Sequence, residues 1–248
     1  MMDFSATTLT LILATAFGSA IVGGMGGFGT GIILTAALTP ILGVKAVVPI
    51  LGLAGIIINS GRFWFYRRDF NARAVKLALP PALLLLLPGT YLYRRLDAAS
   101  LSIAIGLLVL LAIPVRRFLQ SRSLHVGTAG LVAGGGVFGF LNGLASGMGV
   151  VLISLLLGAG LSGTAILATD ALITIAVDVM RSLLFRNFEL LSTQGAVLGV
   201  LIGLASLPGS WVASRLVHRL GATLHVMAIE ALIVIGGLSL LYQGVRAF

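Results

Sequence analysis

Cysteine is absent from the 248 residues, which excludes disulfides, thiolate metal ligands and thiol redox chemistry. Charge is nearly as scarce. Only 9% of the residues are Asp, Glu, Lys or Arg, against roughly 25% in a soluble domain, so this chain cannot build a soluble surface. Histidine occurs three times, at His125, His218 and His225. No second metal-type residue stands at helical spacing beside any of them, so neither a metal site nor a cofactor is expected. Basic residues outnumber acidic ones by 16 to 7, but they stand at the ends of apolar segments rather than along one face. That placement fits membrane orientation and gives no nucleic-acid surface.

Apolar residue is what the chain has in quantity: 58% is hydrophobic and the mean hydropathy is +1.14. At about 20 apolar residues per crossing, the length allows about eight to ten helical segments and no extramembrane domain. The expectation is therefore an all-α integral membrane protein, a single membrane domain over 1 to 248, embedded in lipid. Met1 to Thr10 carries Asp3 and no basic residue, so the first apolar stretch is expected to stay in the mature protein rather than to leave as a signal peptide. Trp64, Tyr66, Tyr91, Tyr93, Trp211 and Tyr242 stand where apolar runs meet charged loops, as interface anchors do.

The apolar runs come in two series. The first reads Thr8 to Gly43, Ala46 to Tyr66, Ala74 to Tyr93 and Ala98 to Val115; the second reads His125 to Leu161, Thr164 to Phe185, Thr193 to Ala213 and Ala222 to Tyr242. Landmarks recur at a fixed offset. Gly27-Phe28-Gly29 lies 120 positions before Gly147-Met148-Gly149, as Pro88-Gly89-Thr90-Tyr91 lies before Pro208-Gly209-Ser210-Trp211, while Asn59 and Arg62 match Asp178 and Arg181 at 119. The expected organisation is repeat one at 8 to 115, a basic linker at 116 to 124, and repeat two at 125 to 243, each of four to five helical segments.

The first run of each repeat is too long for one crossing of a roughly 30 Å core and is dense in glycine, which costs about 1 kcal/mol per helix position relative to alanine. Each is expected to break. If each run is one bent helix, the repeats are parallel; if each is a hairpin, the repeats are inverted. Length favours hairpins and hence inverted repeats, while the basic residues divide too evenly to choose.

A break inside a membrane exposes backbone N–H groups at the start of the next half-helix, together with its positive dipole end, and so suits an anion. The substrate-binding candidates are Gly27, Phe28, Gly29 and Thr30 in the first break and Ser146, Gly147, Met148 and Gly149 in the second. The bland reading of Gly135, Gly139, Gly143 and Gly147, spaced every four residues, is small-residue helix packing. Neither break ends in Gly-Lys-Ser/Thr, so a nucleotide loop is excluded.

Ionisable residues inside apolar runs are expensive to insert and therefore candidates for function. Arg62, Asn59 and Arg181 are read as anion-attracting residues, with Arg62 alternatively reaching the interface beside Trp64 and Tyr66. Asp178 and Arg181 share a helix face at i and i+3 and could merely neutralise each other. Asp170, with no nearby cation in sequence, is the stronger proton-coupling candidate, with Asp178 the second. Glu230 has no evident partner and is left for the interior or for a subunit contact in a homodimer.

Taken together, Gly26-Gly27-Phe28-Gly29, its weaker repeat at Ala145-Ser146-Gly147-Met148-Gly149-Val150, the basic loops after the second run of each half and the duplicated layout resemble the sulfite exporter TauE/SafE family, over essentially the whole chain. That resemblance implies a secondary transporter, an exporter, of small sulfur-containing or organic anions such as sulfite or sulfonates. It also implies a multi-pass protein of a prokaryotic inner (cell) membrane, driven by protons or by the membrane potential. A non-transporting scaffold would be expected to carry long loops or a soluble docking surface, and neither is present. An intramembrane enzyme would need a nucleophile with a base in reach, and no His or Lys lies inside the runs, so no catalytic residue is expected.

Overall fold

A computed structural model describes residues 5 to 25, 29 to 121, 125 to 216 and 222 to 247. The chain is helical throughout these segments: α1 (Ala6–Met25), α2 (Thr30–Leu42), α3 (Val44–Tyr66), α4 (Ala72–Arg95), α5 (Ala98–Ser121), α6 (Thr128–Leu144), α7 (Gly149–Gly158), α8 (Thr164–Asn187), α9 (Thr193–Leu216) and α10 (Ala222–Arg246). Among the described residues, five helices are long and apolar enough to cross a membrane: α1, α3, α4, α5 and α9. The 24 residues of α8 would also span, but they carry Asp170, Asp178, Arg181 and Arg186. Many large apolar side chains point outward, among them Phe65, Leu84, Leu183, Ile235 and Val245, as a lipid-facing surface requires.

Both long first runs are broken, and both double back. In the second, the Val126 N–H just before α6 donates to the Gly158 carbonyl, the last residue of α7, at 2.7 Å, so the two ends of the pair lie side by side. In the first, Gly23 packs against Thr30, which a continuous helix would hold apart. The returning arms are short. At 13 and 10 residues, α2 and α7 rise about 20 and 15 Å, less than the roughly 30 Å of an apolar layer.

Around these hairpins the long helices pack in pairs. α3 lies on α8 in antiparallel fashion, since Gly52 meets Ser182 and Gly55 meets Asp178, while Arg62 reaches Asp170. α5 lies antiparallel on α10, with Gly106 against Gly237 and Gly244 against Ile103. α4 runs beside α6 and α1 beside α9. The spacing by four in α6 serves helix packing: Gly135 sits on Ala78, Gly139 on Ala82, and Gly143 on Gly89 and Thr90, small residues allowing the backbones to approach closely.

Four sequence expectations change. The basic stretch expected as linker is largely helix, because nothing after Pro114 breaks α5 before Ser121. That extension lets Arg117 form an ion pair with Glu230 of α10, so Glu230 has a partner. Arg62 turns inward to Asp170 rather than out to the interface, which also gives Asp170 its cation. Tyr93 is fully buried; its hydroxyl donates to the Val44 carbonyl at 2.8 Å and its ring lies 5.0 Å from that of Phe185. Trp64, Tyr91, Trp211 and Tyr242 stay exposed, with Arg67 over Trp64 at 4.2 Å and Arg215 over Trp211 at 3.9 Å.

Candidate functional site

The two hairpin tips meet in the middle of the protein. A methyl group placed on Gly31 would come within 2.9 Å of the Gly147 Cα, so the α2 start and the turn before α7 are in backbone contact. Two glycines make the turns possible. Gly29 has φ +105 and Gly147 φ +89, left-handed backbone that side chains disfavour.

Beneath the tips lies a cavity of about 100 Å³, walled by α3 and α8. It holds several waters or one small anion and is well short of the roughly 300 Å³ at which drug-sized pockets begin. Gly29, Thr30, Asn59, Arg62, Ser146, Gly147, Met148, Gly149, Asp170, Asp178 and Arg181 all line it. The other two sequence candidates, Gly27 and Phe28, lie outside the described residues. Residues separated by up to 152 positions in sequence, Gly29 and Arg181, thus share one small space.

Its polar character has three sources. The first turns of α2 and α7 open on it through Thr30, Gly31 and Gly149; their amide groups precede any intrahelical partner, and each helix start contributes about half a positive charge. The Ser146 hydroxyl, on a residue 3% exposed, has no hydrogen-bond partner among the described residues. Four ionisable side chains complete the lining. Arg62 donates to Asn59 Oδ1 at 2.7 Å and pairs with Asp170. Arg181 Nη2 stands 2.8 Å from Asp178 Oδ1. With all four ionised, the formal charges of Arg62, Arg181, Asp170 and Asp178 sum to zero.

The fold makes room for these groups deliberately. Gly52 and Gly55 of α3 leave hollows that Arg181 and Asp178 fill, so the ion pair enters the α3–α8 contact without forcing the helices apart. Asp170 keeps one carboxylate oxygen, Oδ1, without a hydrogen bond among the described residues. Sequence reading passed over Asn142 and these two glycines. Asn142 accepts a hydrogen bond from Arg181 through its side-chain oxygen at 3.0 Å. The available signal was its being the one amide side chain in a glycine-rich apolar helix.

A family profile described as "Sulfite exporter TauE/SafE" matches residues 11 to 240 of the chain. Comparison with the curated proteins and with the solved structures gives no match.

Proposed function

The chain belongs to the Sulfite exporter TauE/SafE family, and on that premise we propose that it carries small sulfur-containing or organic anions, such as sulfite or sulfonates, outward across a prokaryotic inner membrane through the cavity between the hairpin tips. The family is one of membrane transporters, and the chain is not an enzyme. The observation that carries the reading is the contact of Gly31 with Gly147 above a small cavity holding two arginines. Two helix starts and two guanidinium groups converging on one space form an anion site, because each supplies donors or positive potential where water is largely excluded.

Neutrality of the resting cavity supports coupling to protons. A monoanion entering it adds one negative charge to a buried space, which is costly unless it is compensated. A proton taken up by Asp170 or Asp178 restores the balance and leaves with the anion. Asp170 is faced by Arg62 of α3 and lies on the same helix as Asp178, which is faced by Arg181. These two carboxylates are the proton carriers in this reading.

Segments 8 to 115 and 125 to 243 are read as inverted repeats. The antiparallel α3–α8 and α5–α10 pairs, with the reciprocal α4–α6 and α1–α9 contacts, support a two-fold relation in the membrane plane. Alternating access then follows from the halves exchanging conformations around a fixed central site.

Flux through the purified protein in proteoliposomes tests the function. Sulfite, methanesulfonate and acetate are offered under a pH gradient and, separately, under a membrane potential. Flux of at least one above protein-free vesicles is expected; none under either gradient would overturn the reading.

A further inference from the structure

A hydroxyl side chain in an apolar helix has an acceptor at hand, the carbonyl four residues back, and this chain uses it. Thr15 of α1, Thr35 and Thr39 of α2, Thr90 of α4, Ser102 of α5 and Ser206 of α9 all donate there. Thr174 of α8 does not. Its buried Oγ1 has no hydrogen-bond partner among the described residues, although the Asp170 carbonyl stands four residues back. The Thr174 side chain lines the cavity instead.

Thr174 lies midway between the two carboxylates of α8. Asp170, Thr174 and Asp178 follow at intervals of four, one above another on a single helix face, and all three line the cavity. Such neighbours have Cβ atoms about 5–6 Å apart, a gap that the side chains and one bridging water close. Asp170 Oδ1 is itself buried without a hydrogen bond among the described residues. The two carboxylates differ in their access to water. Arg62, paired with Asp170, has a side chain 21% exposed, whereas that of Arg181, paired with Asp178, is 2% exposed. These two arginines are the other ionisable groups in the described lining of the cavity.

We infer that Thr174 is a proton-relay residue joining Asp170 to Asp178. A hydroxyl both donates and accepts. The proton of a neutral Asp170 passes through one water to the Thr174 oxygen, while the Thr174 proton passes through a second water to the Asp178 carboxylate. One O–H bond breaks at Asp170 and one forms at Asp178; Thr174 and both waters keep their number of protons, and Asp170 is left as a carboxylate. The inference rests on the reading of the two aspartates as proton carriers, and it makes them one carrier with a water-facing and a deep position.

Sulfite flux through the reconstituted full-length chain tests the relay, and a pH jump on the same chain in detergent tests it without flux. Thr174→Val removes the hydroxyl at nearly constant shape. It is expected to lower the maximal sulfite flux driven by a pH gradient about tenfold, with KM within about threefold. Thr174→Ser, which returns a hydroxyl, is expected to restore that flux. Full pH-driven flux in Thr174→Val overturns the inference. So does a Thr174→Ser flux as low as that of Thr174→Val, which would make the residue a packing one, or a KM raised about tenfold, which would make it an anion contact. Infrared absorption by protonated carboxyl groups after the pH jump follows Asp178 itself, its band being the one lost in Asp178→Asn. That band is expected to rise about tenfold more slowly in Thr174→Val than in the unsubstituted chain or in Thr174→Ser. Equal rates contradict the relay, as does a band absent from the unsubstituted chain. Absence of sulfite flux from the unsubstituted chain counts against the transport reading instead, and the infrared rates then still decide the role of Thr174.

Discussion

Gly31 and Gly147, 116 positions apart, touch backbone to backbone at the centre of the protein, with 2.9 Å between the place of a Gly31 Cβ and the Gly147 Cα. Side chains cannot enter this contact without moving one tip. Gly31→Ala is expected to cost about 1–3 kcal/mol as an overpacked core substitution and to lower flux. Gly31→Leu is expected to abolish flux while leaving a helical, membrane-inserted protein. Transport rates in proteoliposomes, with circular dichroism as the control for folding, measure both; full flux from Gly31→Leu would contradict the contact.

Asp170 ties α8 to α3 through Arg62, and it is one of the two carboxylates that balance Arg62 and Arg181 in the cavity. Asp170→Asn keeps the shape and removes the proton site. Flux in this variant is expected to lose its dependence on an imposed pH gradient by about tenfold or more, while flux under a membrane potential persists. Proton uptake followed with a pH-sensitive dye trapped in the vesicles checks this. An unaltered pH response would assign the coupling elsewhere.

Asn71, at the α3–α4 turn, donates its backbone N–H to the Thr169 hydroxyl near the start of α8, whereas Phe188 at the far end of α8 lies under Arg94 at the end of α4. The turns at 67 to 71 and at 188 to 192 therefore belong to opposite ends of the α3–α8 pair. Single cysteines at Arg68 and Glu189 are expected to be labelled from opposite sides of the membrane by an impermeant maleimide. Labelling of both from one side would contradict inversion.

Outside the membrane layer, Asp97 caps α5: the Ser100 N–H donates to its Oδ1 at 2.8 Å. This bond holds the Asp97 carboxyl below the usual value for an aspartate. A lowered folded value means that the cap stabilises at pH above the unfolded value of about 3.9 and that its contribution disappears as pH falls through the lowered folded value. Asp97→Ala is expected to lower the Tm slightly at pH 7 and to leave it unchanged at pH values below the folded one; thermal unfolding in detergent at both pH values measures this.

The elements of the site were legible where the signal is local. Glycine density marks both breaks, since a left-handed residue such as Gly29 or Gly147 stops a helix wherever it lies. Asp178 and Arg181 could be paired from their i, i+3 spacing alone. Partners from distant segments left no such trace. Arg62 and Asp170 meet because α3 and α8 pack antiparallel, and neither helix carries a mark of that direction in its own sequence. Asn142 was hidden because the glycines around it read as packing residues, which they also are. Tyr93 sits in a boundary position like those of Tyr91 and Trp211, and the Val44 carbonyl that draws it inward comes from another helix.

The central claim is that a small anion passes through the cavity between the tips, and blocking that cavity covalently tests it most directly. In a chain without native cysteine, Ser146→Cys places one thiol on the cavity wall. Sulfite flux by this variant before modification, loss of that flux after N-ethylmaleimide and removal of the reagent, and slower modification when methanesulfonate, which does not react with maleimides, is present are the expected results. Sulfite flux that persists after complete modification of position 146 would contradict the account.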